Sequence, residues 1–324
     1  MKKAGFFALA AITALVLTGC TDSDAPTSGD SGDGGSAGSA DLIPVTVGVI
    51  PIADTAPIYV GDDQGFFEEE GIDLTIETAT GGAAIVPAVV SGDYEFGFSN
   101  QLSLMVAADQ GLDIKMVSAA VATTGDTSKD MGAVVTKPDS GIASPADLAG
   151  KTVSSNSVGN INDTAVRSVV DEAGADSSTI DFVEVPFPDA IAAVENDQVD
   201  AAFVVEPFVT AATEAGLEVV TYAYADFDPK LDIAAYFALS SVDADLLEKF
   251  QSAMQKSLEF ADSNPDVVRE IMGTYTKTDP AVLAEITLPT YPTEFDRASS
   301  EKLAAAAVEY GVLKAEPDFD NLLP

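Results

Sequence analysis

"GGAAIVPAVVSGDYEFGFSN", residues 81–100, carries two different periodicities separated by a turn. Paired glycines open it, and the apolar run from Ala83 to Gly92 predicts a helix over 83–92, kinked at Pro87. Ser91-Gly92-Asp93 is a stop and a turn. Tyr94 to Ser99 is rich in aromatic side chains with small or polar residues between them, which predicts a strand over 94–99. The reading extends both ways. Before it, "VTVGVI" (45–50) is a strand, "APIYVGDDQGFFEEEG" (56–71) one helix stopped by Gly71, and "IDLTIETA" (72–79) a strand. After it, "QLSLMVAADQG" (101–111) is a helix and "DIKMVSAAV" (113–121) a strand. Alternation at this spacing predicts an α/β protein built of parallel βαβ units, with helices on both faces of the sheet.

A second series begins after Lys137-Pro138. A short helix over 144–150, a strand over 151–156 and a helix over 160–174 lead into "IDFVEVP" (180–186), read as a strand. A helix over 188–198, the strand "VDAAFVV" (199–205), a helix over 206–216 and strands over 217–223 and 233–240 follow; beyond Asp243 the pattern is largely helical. A chain of 324 residues suits two α/β lobes better than one large core.

The amino terminus reads as an address. Lys2 and Lys3 precede a nearly unbroken apolar run over 4–18, too short to span a bilayer, so residues 1–19 are expected to be an export signal. Leu17-Thr18-Gly19-Cys20 resembles the lipobox of bacterial lipoproteins, which implies that Cys20 becomes the first residue and carries lipid. Acyl chains there would anchor an otherwise soluble domain to the outer face of the cell membrane. Residues 20–41 hold Gly, Ser and Asp and almost nothing large and apolar, which predicts a flexible tether spanning roughly 25 Å.

Composition removes several kinds of chemistry. Cys20 is the single cysteine, and there is no histidine or tryptophan. A lipidated Cys20 leaves neither disulfides nor thiolate chemistry, and Ser-His-Asp machinery and the usual zinc sites are also lost. No metal or cofactor is expected. A formal charge of −38 repels nucleic acid, so no nucleic-acid partner is expected either.

Four segments carry a family resemblance: "APIYVGDDQGFFEEEGIDLTI", "GGAAIVPAVVSGDYEFGFSN", "SPADLAGKTVSSNSVGN" and "AIAAVENDQVDAAFVVEPF". In this order and spacing the chain resembles the periplasmic-type solute-binding proteins of ABC importers, in the nitrate/sulfonate/taurine and thiamine-pyrimidine (riboflavin) branch. The resemblance implies a two-lobed periplasmic-binding-protein fold (type II), with two hinge crossings and the ligand cleft between lobes. The crossings are expected near Thr136–Pro138 and Ala225–Ile233, giving a first lobe of 42–137 plus 234–324 and a second of 138–233. It also implies a monomer that captures a small-molecule solute and delivers it to an ABC permease in the membrane, rather than an enzyme. A ligand-sensing partner of a membrane receptor has the same sequence features, and a carboxylate-based extracytoplasmic enzyme on the same fold is the remaining alternative.

Open α/β sheets bind ligands beyond the carboxyl ends of their strands, at helix starts. In the first lobe that rule selects Asp54 and Thr55, then Gly81 and Gly82, Ser99 and Asn100, and Thr123. In the second it selects the loop 155–163, with Asn156, Ser157, Asn160 and Asn162. Each Ser, Thr or Asn there equally suits a plain helix cap worth about 1 kcal/mol. Phe187 is a ring-stacking candidate beside Phe208 and Tyr222, and Glu206 borders the cleft by the resemblance. None of the three arginines, Arg167, Arg269 and Arg297, falls in an expected cleft loop. An oxyanion would therefore rely on backbone N–H groups and hydroxyls, whereas Asp54 and Glu206 suit a ligand with N–H donors or positive charge.

Overall fold

The computed structural model describes residues 42–324, and the export signal, Cys20 and the tether lie outside the described residues. Ten strands are present among the described residues: β1 (Ile43–Val49), β2 (Ile72–Thr78), β3 (Phe96–Asn100), β4 (Ile114–Ala122), β5 (Gly132–Thr136), β6 (Thr152–Ser155), β7 (Asp181–Glu184), β8 (Ala201–Val205), β9 (Glu218–Thr221) and β10 (Asp232–Leu239). They form two five-stranded sheets, ordered β2-β1-β3-β10-β4 and β7-β6-β8-β5-β9. The α/β two-lobed expectation is met.

Three expectations need correcting. The sheets are mixed, because β10 runs antiparallel to β3 and β4, and β5 antiparallel to β8 and β9. A strand that arrives from the other lobe has no crossover helix to turn it parallel. The helix read over 56–71 is two, Ala56–Asp63 and Phe66–Glu69, broken where Gly65 takes φ +77°. The first crossing is not at Thr136–Pro138. β5, which escaped the sequence reading, already pairs in the second sheet, so the chain crosses through 123–131 and the second lobe starts before residue 138.

The chain returns through 228–231, after a short helix Ala223–Phe227 that packs on β5 and on the helix Ile161–Glu172. The two crossings touch: the Thr123 N–H donates to the Leu231 carbonyl at 3.0 Å. Gly125 lets them approach, having φ +73° and a position where a Cβ would lie 2.5 Å from the Pro229 carbonyl oxygen. Asp130 is fully buried here and accepts from the Thr123 hydroxyl at 2.6 Å and the Thr124 N–H at 2.8 Å.

Burial explains the first lobe. Val45, Val47 and Val49 alternate inward along β1, and β3 buries Phe96 and Phe98. The long helix Ala244–Ser263 folds back onto this lobe and stacks Phe250 on Phe96, with centroids 3.8 Å apart and planes 6° apart. Burying these rings supplies the apolar area that holds the carboxyl-terminal segment in place. The helix Arg297–Glu309 packs on the helix Gln101–Asp109 of the first lobe and reaches Ile161–Glu172 of the second. No helix among the described residues is long and apolar enough to cross a membrane.

Candidate functional site

The carboxyl ends of the strands in both sheets converge on one small cavity. From the first lobe it is lined by Asp54 after β1 and by Phe98 and Asn100 at the end of β3. From the second come Asn156 after β6, Asn162, Phe187 after β7, and Tyr224. Ile50, Ile52, Ile161, Val205, Ile233 and Ala234 complete an apolar surround. The cavity measures about 30 Å³, little more than the room for a water molecule. An apolar recess of about 360 Å³ adjoins it, sharing Ile50, Ile52 and Phe187 and adding Thr78 to Thr80 and Phe208. Phe187 and Phe208 stand with centroids 6.3 Å apart.

Local structure sets each polar group. Asn100 caps the helix Gln101–Asp109, its Oδ1 accepting the Ser103 N–H at 2.8 Å. Asn162 is fully engaged: its Nδ2 donates to Ser155 Oγ at 3.0 Å and Asn156 Oδ1 at 2.9 Å, and its Oδ1 accepts from the Tyr224 hydroxyl. It therefore orients Asn156 and Tyr224 toward the cavity. Tyr224 is 2% exposed, and burial pushes its hydroxyl well above the usual phenol range. Asp54 is 3% exposed with its Oδ1 unpartnered. Burial raises its carboxyl to about 7, against a smaller opposing pull from its own backbone N–H and with a little help from Asp130.

Several contacts bridge the lobes. Asn160 caps the helix Ile161–Glu172 and its Nδ2 donates to Ser103 Oγ of the first lobe at 2.8 Å. Glu206, 1% exposed, accepts the Thr287 N–H at 3.0 Å and the Thr210 hydroxyl at 2.8 Å, and its carbonyl accepts the Ala53 N–H at 3.1 Å. Burial raises the Glu206 carboxyl despite those donors. The Tyr310 hydroxyl donates to Asp171 at 3.0 Å on the outer face.

Of the residues selected by the strand-end rule, Asp54, Asn100, Asn156 and Asn162 line the cavity, as does the ring-stacking candidate Phe187. Asn160 and Glu206 act across the lobes beside it. Gly81 lies across from Asn156 and Ser157, where a Cβ would come 3.5 Å from Asn156 Nδ2 and 3.6 Å from Ser157 Oγ. Gly82 lets its helix sit on Ser99, since a Cβ there would lie 2.2 Å from Ser99 Oγ. The Thr55 hydroxyl is used on the Ile50 carbonyl at 2.7 Å, and Thr123 belongs to the crossing rather than the cavity. Sequence reasoning missed Tyr224 and Phe98. Tyr224 belongs to the helix Ala223–Phe227, which five residues between a strand and a crossing do not announce; Phe98 was legible only as core.

Residues 52–267 match the family described as NMT1/THI5 like. The chain belongs to that family. It is 23% identical over 221 residues to the formylaminopyrimidine-binding protein of Halalkalibacterium halodurans, covering 66% of this chain and 64% of the relative. It is 28% identical over 177 residues to the taurine-binding periplasmic protein of Escherichia coli, covering 55% and 52%. The chain thus spans between half and two thirds of these curated relatives. Among solved structures, the periplasmic aliphatic sulphonate binding protein of Escherichia coli superposes with a TM-score of 0.69 at 15% identity, over 86% of this chain and 91% of that one. The fold is therefore that of the periplasmic binding proteins.

Proposed function

We propose that this protein is the solute-binding component of an ABC importer, capturing a small molecule between its lobes and presenting it to a membrane permease. One observation carries this reading. Polar and aromatic side chains from the strand ends of both sheets meet at a single cavity, so a ligand there would contact both lobes at once. Such a ligand favours closure by the contacts it gains with the second lobe, and the paired crossings at 123–131 and 228–231 are the hinge about which closure runs. Cys20 as lipid anchor, residues 21–41 as tether and residues 1–19 as export signal complete the reading and place the domain outside the cytoplasm. Capture and delivery need no bond-making step, so the site residues bind rather than catalyse.

The test is a melting panel on the full chain with candidate solutes of several chemical classes. A ligand at one hundred times its Kd should stabilise the protein by about 2.7 kcal/mol and be recovered unchanged. Turnover of the bound solute would overturn the reading. For the anchor, mass spectrometry of protein from membrane fractions should find acylated Cys20; a free thiol there refutes it.

A further inference from the structure

The cleft of a binding protein declares its ligand's charge by what it leaves unpaired. We infer that this cleft takes a planar ligand bearing a cationic or amidine-type nitrogen, with Asp54 as the counter-group that sets specificity, and that it rejects simple oxyanions. The inference rests on the binding-protein reading and narrows it.

Asp54 is the one carboxylate among the cavity-lining residues, and no lysine or arginine lines the cavity with it. Its Oδ1 is buried and accepts no hydrogen bond among the described residues. A buried carboxylate without donors is unfavourable unless something supplies them. The neighbours do not: Asp130 adds like charge, and the Tyr224 hydroxyl is given to Asn162. A ligand N–H or cation is the missing partner, and a charge-assisted bond to it would be strong and directional.

Side-chain acceptors already engage donors at three of the helix starts around the cavity. Helix starts are natural anion sites only while their N–H groups are free. At the helix after β3, the Ser103 N–H is taken by Asn100. At the helix after β6, the Gly159 and Asn160 N–H groups are taken by Asp163 at 2.9 and 2.6 Å. At the helix after β8, the Thr210 N–H is taken by Glu206 at 3.1 Å. The helix Gly82–Ser91 starts without a side-chain cap, but Gly81 and Gly82 do not line the cavity. An anion in the cavity would meet Asp54, with no lysine or arginine among the lining residues to offset the repulsion. Phe98 and Phe187 and the isoleucines around them suit a flat, largely apolar body behind the basic group.

The test is titration calorimetry on the full chain at about pH 8, above the range in which burial keeps Asp54 protonated, with four probes: benzamidine, its neutral isostere benzamide, methanesulfonate and nitrate. The expected result is that benzamidine binds about 30-fold or more tightly than benzamide, as for a charge-assisted hydrogen bond, while the two anions do not bind. Asp54→Asn keeps the shape of the side chain and should abolish that preference; a merely structural role would weaken both ligands equally. Binding of either anion without benzamidine overturns the inference and leaves the binding-protein reading standing. A benzamidine preference that survives in Asp54→Asn overturns the role of Asp54. Failure of all four to bind overturns the inference, and the binding-protein reading falls only if the broader melting panel is silent as well.

Discussion

Replacing Asp54 by Asn removes one titrating group from a buried position and leaves its volume in place. Burial raises the carboxyl from its ordinary 3.8 to about 7. Each pH unit of that displacement is worth about 1.4 kcal/mol, so the free-energy difference amounts to roughly 4 kcal/mol. The sign follows from which form the fold prefers. Between pH 4 and pH 7 the native state holds a proton at Asp54 that the unfolded chain releases. Stability from this group is therefore complete below pH 4 and lost as pH rises through 7. The groups facing it, Asp130, Tyr224 and Tyr236, remain in both proteins, and carboxylates elsewhere cancel when the two are compared. Urea unfolding of the full chain and of Asp54→Asn, in steps from pH 4.5 to pH 8.5, reads the difference directly. The wild type should lose about 3 kcal/mol of that difference relative to the variant across this range, which starts above the ordinary 3.8, so the variant gains ground in alkali. Two profiles that stay parallel to within about 1 kcal/mol would refute the reasoning, because Asp54 would then titrate alike in both states.

Other perturbations probe closure and packing. Glu206→Ala leaves the Thr287 and Thr210 N–H groups without their acceptor, which should weaken lobe closure by about 1–3 kcal/mol; spin labels on the two lobes should report a longer distance, and an unchanged distribution counts against the bridge. Asn160→Ala removes a helix cap and the contact to Ser103, costing about 1 kcal/mol in chemical denaturation, and no loss would mean that neither bond contributes. Gly97→Ala places a Cβ 2.6 Å from Ile85 Cγ2 and 2.7 Å from Phe237 Cε1. It should destabilise the first lobe by about 1–3 kcal/mol, and a neutral result would show that the sheet gives way easily there.

Much of the architecture was legible because it rests on local rules. The helix Gly82–Ser91 and strand β3 follow from apolar density, a Gly stop and aromatic strand formers, all contained in residues 81–100. The strand-end rule pointed to Asp54, Asn100, Asn156 and Asn162, which the structure brings to one cavity. What failed was non-local. "GAVVT" of β5 is a short apolar run that fits a buried strand or the flank of a helix equally well. Only its pairing between β8 and β9 assigns it to the second lobe, and with it the true first crossing. The break at Gly65 was missed for a related reason: a glycine inside a periodic stretch is tolerated or not according to what the following turn packs against.

Taken alone, the amino-acid sequence determined the alternation of strands and helices, the two-part organisation and the absence of histidine. It did so because hydrophobic period, glycine punctuation and composition act within a few residues of one another. The tertiary structure gave one of the many carboxylates surroundings unlike the others. Asp54 is one of 53 acids in the chain, distinguished only by being buried where two lobes meet with its Oδ1 unpaired. Burial and unpaired groups are properties of surroundings drawn from distant parts of the chain, so no local pattern encodes them. Likewise Asn100, Asn160 and Asn162 look interchangeable in sequence, and only their partners separate a helix cap, a bridge between lobes and a scaffold for Tyr224.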